Sequence, residues 1–162
     1  MKTRSLLLAP LFALMMITLT GCPEDEPTGP DPATTMLSVE INDTEWVADS
    51  VIFRVDPLNA SLREIYAWKG VQGNGESISI RIPDTTAQTF PLSGTSGAVL
   101  TYVADEEPGT PFTADPIQAS SGEVEIETST ADVISGEFSF EGTSQFTSTS
   151  YEGVDGEFVV RR

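Results

Sequence analysis

No histidine occurs anywhere in the 162 residues, and cysteine occurs once. The first absence removes the commonest general base and the commonest metal ligand, so serine–histidine and cysteine–histidine catalysis and histidine zinc sites are excluded. The second leaves no partner thiol, hence no intrachain disulfide and no cysteine cluster for a metal. Lysine is nearly missing too: past residue 4 only Lys69 remains. After Leu19 no apolar run is long enough to cross a ~30 Å hydrocarbon core. Nor does any segment sustain the i, i+3, i+4 apolar period of a helix.

Acid is what the chain has in excess. Eight basic residues stand against 25 acidic ones, a net charge of −17. Such a field disfavours nucleic acid and anionic lipid surfaces as partners. It suits a solvated acidic coat, and equally a protein adapted to high salt, where screening relieves crowded carboxylates.

The amino terminus is organised differently from the rest. Lys2 and Arg4 precede an apolar run from Leu6 to Leu19, interrupted by Pro10. That is the layout of a secretory signal peptide, and the run is short for a membrane-spanning helix. It ends in Leu19-Thr20-Gly21-Cys22, which resembles the lipobox of bacterial lipoproteins. The resemblance implies cleavage after Gly21, lipidation of Cys22 and acylation of its new amino terminus. More than one acyl chain gives stable anchoring at ~0.8 kcal/mol per buried methylene. Losing Lys2 and Arg4 with the leader leaves six basic residues against the 25 acids, or −19. Residues 22–35 follow as a Pro- and acid-rich tether that favours an extended, unfolded chain. Within it, Glu24-Asp25-Glu26 resembles the acidic export tag of surface lipoproteins in Bacteroidota. The expected organisation is a signal peptide (1–21), a lipidated tether (22–35) and one folded domain (36–162).

That domain reads as strands throughout. Met36–Ile41 alternates with Leu37, Val39 and Ile41 on one face, and Asn42-Asp43 turns the chain into Glu45–Ala48. Ser50–Val55, Arg63–Val71, Ser77–Ile82, Thr89–Leu92, Ala98–Val103, Glu123–Thr128, Val133–Glu141 and Gly156–Arg161 follow, with a weaker strand near Gln145–Ser150. Gln72-Gly73-Asn74-Gly75 supplies positive-φ residues for a hairpin. Ala104–Pro116 reads as a long polar loop. Gly-Glu recurs at Gly75, Gly122, Gly136 and Gly156 and reads as a strand-start device, glycine turning and glutamate outward. Nine or ten short strands predict an all-β fold: a single antiparallel β-sandwich or flattened barrel. Its core is expected to take Trp46, Val51, Phe53, Ile78, Ile80, Ile82, Phe138, Phe140, Phe158 and Val160. Each large side chain fully buried contributes about 1.5–3 kcal/mol, so a core without disulfides is sufficient.

Three features in order resemble a group of small uncharacterised Bacteroidota lipoproteins. They are the anchor, the strand leading into Asn42-Asp43-Thr44-Glu45-Trp46, and Ile134-Ser135-Gly136-Glu137-Phe138-Ser139-Phe140 near the end. The resemblance spans most of Met36–Val160 and implies an all-β domain with Trp46 at a core position. It implies no activity.

Chemistry-bearing residues are few. Glu123, Glu125 and Glu127 alternate along one strand and invite comparison with the carboxylate strand of laminarinase-type glycosidases. Retention there needs two carboxyls about 5–5.5 Å apart. Thr128 occupies the position where the second carboxylate of that family falls, and alternation alone makes all three glutamates a solvated face. Asp105, Glu106, Glu107 and Asp115 offer oxygen ligands for calcium, without the ordered spacing of an EF-hand loop. Tyr66 and Trp68 share one strand face, opposite Ile65 and Ala67. Large aromatics usually supply buried area, so core packing of the pair is the expectation. Should Ile65 and Ala67 take the core instead, the pair becomes a ligand-stacking patch. Asp49-Ser50-Val51 and Asp84-Thr85-Thr86 resemble O-glycosylation acceptors of Bacteroidota.

The expected role is a non-catalytic lipoprotein of the envelope, an outer-membrane or cell-surface protein. It would act as an interaction or accessory module for an envelope protein or glycan, with no catalytic residue, no cofactor and no nucleic-acid partner. A glycan-binding module, calcium-assisted, is the alternative, and a carboxylate-dependent glycan hydrolase the third.

Overall fold

The computed structural model describes residues 34–92, 97–105 and 114–162. The lipobox residues Leu19, Thr20, Gly21 and Cys22, most of the tether, and Glu106 and Glu107 lie outside the described residues. The rest is all-β, with ten strands among the described residues: β1 (Met36–Ile41), β2 (Thr44–Val47), β3 (Ser50–Val55), β4 (Arg63–Trp68), β5 (Ser77–Ile82), β6 (Thr89–Pro91), β7 (Val99–Asp105), β8 (Ala114–Ser129), β9 (Val133–Thr143) and β10 (Ser150–Arg161). All pairings are antiparallel, and the strand order is β2-β1-β10-β9-β8-β7-β5-β4-β3, with β6 beside β8.

This sheet curls into two facing layers because two stretches of chain belong to both. β8 pairs with β7 from Ala114 to Gln118, then with β9 from Ala119 to Ser129. Its register breaks between Ala119 and Ser121, and Gly122 takes φ 114°. A Cβ at Gly122 would overlap the Ser139 carbonyl, so only glycine fits the bend. At the opposite corner, the edge strands β2 and β3 are consecutive in sequence. Ala48 N–H still donates to Leu37 on β1, whereas Asp49 N–H donates to Trp68 on β4, both at 3.0 Å. The chain thus steps from one edge to the other within two residues, flattening the curled sheet around one core.

Leu37, Ile65, Ile80, Leu100, Phe140 and Phe158 are among the side chains fully enclosed there. Of the expected core, Val51 and Phe53 are only partly buried, and they pack on its margin. Asn42 and Asp43 both have positive φ, 48° and 61°, the turn that two-residue hairpins require. The β4–β5 hairpin pairs Arg63 with Ile82 through Trp68 with Ser77, and Gly70 and Gly73 supply its left-handed residues.

Three expectations change. The chain from Ala114 through Gly122, partly read as loop, is the first half of a 16-residue strand. Its inward positions there are Asp115, Ile117 and Ala119, too little apolar side chain to signal a strand. Residues 145–147 form a turn rather than a strand, with Ser144 Oγ accepting from the N–H groups of Phe146 and Thr147, while Ser150 already opens β10. Gly136 and Gly156 do not start strands. They sit within β9 and β10 on the core side, opposite Phe158 and Phe138, where a Cβ would overlap the Glu125 carbonyl at Gly136 and the Phe138 carbonyl and ring at Gly156.

Candidate functional site

Alternation on β4 decides which side chains can meet a partner. Ile65 and Ala67 have no exposed area, so their neighbours Tyr66 and Trp68 point out of the barrel. The expectation that the aromatic pair packs inward is therefore reversed. Ile65 and Ala67 close the core beside Ile80 and Ile78, their cross-strand neighbours on β5. Tyr66 and Trp68 stack on the outer face with ring centroids 5.6 Å apart and planes inclined by 29°. Both are half-buried.

Register sets their surroundings. Trp68 lies between Ser50 on β3 and Ser77 on β5, and Tyr66 between Ile52 and Ser79. Thr101 on β7 and Gln118 on β8 continue the Tyr66 row. One step further, Glu64 stands between Arg54 and Arg81. Arg54 Nε donates to Glu64 Oε2 at 2.6 Å, and its guanidinium carbon lies 5.0 Å from the Tyr66 ring centroid. Ser79 Oγ donates to Glu64 Oε1, also at 2.6 Å. Glu64 is buried by these partners. Three planar groups thus follow one another along the strands: Arg54, Tyr66 and Trp68.

Charge is distributed unequally between the two layers. On the outer side of β8, β9 and β10, Glu125 pairs directly with Glu137, and Glu137 with Glu157. These three exposed carboxylates flank a shallow groove of about 470 Å³, lined also by Glu123, Asp155 and Ser139. Sequence reading singled out Glu123, Glu125 and Glu127. The fold keeps the first two in the groove and places Glu127 outside its lining, at the register break between Ile126 and Thr128. Glu137 and Glu157 join only through cross-strand register, which no local pattern encodes.

Among the calcium candidates, Asp105 and Asp115 fall on opposite faces of their strands. Asp115 pairs with Ala104, shares its inward face, and is completely buried. Among the described residues neither of its carboxylate oxygens has a hydrogen-bond partner. Asp105 is half-exposed. Among the described residues, no group of three or more acidic, cysteine or histidine side chains is placed to hold a metal ion.

Two further polar residues are held tightly. Trp46, buried as expected, donates its indole N–H to Glu76 Oε2 at 3.2 Å, while the Tyr102 hydroxyl donates to Oε1 at 2.8 Å. Burial, and then the bond to Glu76, pushes the Tyr102 phenol far above its ordinary range. Asp84, in an exposed turn, is held below the usual carboxylate range by the N–H groups of Thr86 and Thr85. Of the acceptor positions in the two glycosylation-like tripeptides, Ser50 is exposed and Thr85 half-exposed.

Fold and face together define a small all-β domain with a sealed core, one strongly acidic layer and one aromatic strip facing outward. A family model described as a domain of unknown function, DUF6252, matches residues 34–160, and the chain belongs to that family. No curated protein and no solved structure matches the chain.

Proposed function

We propose that this protein is a non-catalytic lipoprotein of the cell envelope, tethered through Cys22, whose β-domain binds a partner on the outer face of β4. The observation that carries this reading is the Tyr66–Trp68 stack, held outward by the complete burial of Ile65 and Ala67. Exposed aromatic side chains cost solvation and are concentrated where proteins make contacts, with arginine beside them. Arg54 stands on Tyr66 in that manner. The lipobox supports the anchor, and the acidic tether would hold the domain clear of the membrane surface. Outer-membrane placement and surface exposure belong to the same reading.

Expressing the full chain in a bacterial host with two separate substitutions tests both halves. Cys22→Ser releases the protein from the membrane fraction. Trp68→Ala leaves it anchored but abolishes retention of its domain on washed envelope material. Retention unchanged in Trp68→Ala and in Tyr66→Ala rejects the face. A Cys22→Ser protein that stays with the membrane rejects the anchor.

A second reading, glycan hydrolysis, draws on Glu125 standing directly opposite Glu137 in the acidic groove. A general acid requires a carboxyl kept partly from water, and both of these are exposed. Absence of hydrolysis across a polysaccharide panel by the parent protein ends this reading. Hydrolysis by the parent that is lost in Glu125→Gln and in Glu137→Gln establishes it.

A further inference from the structure

We infer that Asn74 is a site of spontaneous covalent modification, where the folded protein converts a side-chain amide to aspartate and isoaspartate. The chain has three asparagines, Asn42, Asn59 and Asn74. Two of them are held. Asn42 donates from Nδ2 to the Ser150 carbonyl at 3.2 Å and accepts the Glu152 N–H at 2.9 Å. Asn59 Oδ1 accepts from the N–H and the hydroxyl of Ser61. The Asn74 carboxamide has no hydrogen-bond partner among the described residues, and residues 71–74 are all exposed.

The following residue completes the reactive pair. Asn42 and Asn59 precede Asp43 and Ala60, whose Cβ atoms hinder closure of the side chain onto the next backbone nitrogen. Asn74 precedes Gly75. A Cβ at Gly75 would overlap the Lys69 carbonyl oxygen, so the hairpin accepts only glycine there. Close passage of the two chains thus gives Asn74 the least hindered neighbour an asparagine can have. The Gly75 N–H, which must attack, donates to no acceptor among the described residues. Gly73 at φ 78° and the 2.9 Å bond from Asn74 N–H to the Val71 carbonyl form the turn that presents the pair to water.

The chemistry needs only water. The Gly75 nitrogen attacks Asn74 Cγ and gives up its proton, the Cγ–Nδ2 bond breaks, and ammonia leaves with that proton. A five-membered succinimide remains, and one water opens it at either carbonyl. Opening at Cγ leaves aspartate. Opening at the main-chain carbonyl leaves isoaspartate, whose backbone is one methylene longer. The Lys69 N–H bond to the Glu76 carbonyl, 2.9 Å, closes the hairpin just beyond, and Gly75 already lies against the Lys69 carbonyl. The added methylene has no room there, so isoaspartate loosens this end of the β4–β5 hairpin.

The test is prolonged warming of the folded full chain in mild detergent at slightly alkaline pH, followed by peptide mass mapping. Isoaspartate is counted by enzymatic methylation with the methyltransferase specific for it. Conversion at position 74 is expected to outrun that at Asn42 and Asn59 by about tenfold. Its rate is expected to stay within about tenfold of that in the urea-unfolded chain. The methyl label falls in the tryptic peptide 70–81 and disappears in Asn74→Gln. Aged protein carrying isoaspartate unfolds at lower urea than Asn74→Asp, which adds the charge without the methylene.

An intact Asn74 after such treatment overturns the inference, as does conversion at Asn42 or Asn59 that is equally fast. Conversion at position 74 more than about tenfold slower in the folded protein than in urea also overturns it. Equal urea midpoints for the aged protein and Asn74→Asp reject the loosened hairpin.

Discussion

The Tyr102 hydroxyl donates a 2.8 Å hydrogen bond to Oε1 of Glu76. The other oxygen of that carboxylate accepts from Trp46 on β2, so one glutamate joins the two layers. Removing it by Glu76→Ala strands two buried donors, and each unsatisfied group costs about 1–3 kcal/mol. Urea unfolding is expected to show a loss of roughly 2–5 kcal/mol. The same contact sets a response to alkali. The folded state holds the Tyr102 proton more tightly than the unfolded chain, whose tyrosines titrate near 10.0. Stability from this group is complete below that pH and is lost as pH rises from there toward the folded value. Tyr102→Phe is expected to flatten that alkaline decline, measured as urea midpoints across the range.

The glutamate row on the acidic layer is a source of repulsion. Glu137 faces a like charge on each side, Glu125 and Glu157. Like charges directly opposite in a sheet are destabilising by a few tenths of a kcal/mol up to about 1 each. Glu137→Gln is therefore expected to raise stability by roughly 0.5–1 kcal/mol at low salt. The gain shrinks toward zero near 1 M salt, where the screening length falls to about 3 Å. Thermal melts of both proteins across a salt series check this. A salt-independent gain would assign the effect to side-chain packing.

Gly153 lies opposite Phe140 in the β9–β10 ladder, and a methyl group there would overlap the ring. Gly153→Ala is expected to cost about 1–3 kcal/mol, as overpacking does elsewhere in cores. Adding Phe140→Leu to Gly153→Ala recovers part of the loss if the ring is the obstacle. A double-mutant cycle on urea unfolding free energies measures that coupling.

Asp115 is buried with both oxygens unpartnered among the described residues, an arrangement that costs stability whenever the group is charged. Asp115→Asn is expected to raise stability by about 1–3 kcal/mol, in chelator and in millimolar calcium alike. A parent protein stabilised by calcium, with the effect lost in Asp115→Asn, would instead make this carboxylate a cation ligand.

Much of the fold is legible along the chain because it is local. Alternation of apolar residues marks most strands, and Asn42-Asp43 announces a positive-φ turn that the backbone adopts. The second half of β8 shows the expected alternation over Glu123–Thr128, but its first half carries little of it, because Asp115 and Ala119 stand beside Ile117 at the inward positions. Gly136 and Gly156 turn nothing: they leave room for neighbouring strands, Gly136 chiefly for the Glu125 carbonyl and Gly156 for the Phe138 backbone and ring.

The candidate site divides in the same way. Tyr66 and Trp68 share a face by two-residue periodicity, which the sequence alone determines, as it does the all-strand class, the acidity and the exclusion of histidine chemistry. Which way that face points is a tertiary matter. It is decided by Ile65 and Ala67 closing the core beside Ile80 and Ile78. The meeting of Glu125, Glu137 and Glu157, and of Trp46 with Glu76, is likewise decided by register between strands far apart in sequence. Periodicity is a property of neighbouring residues, whereas direction and partnership come only from the competition for one shared core.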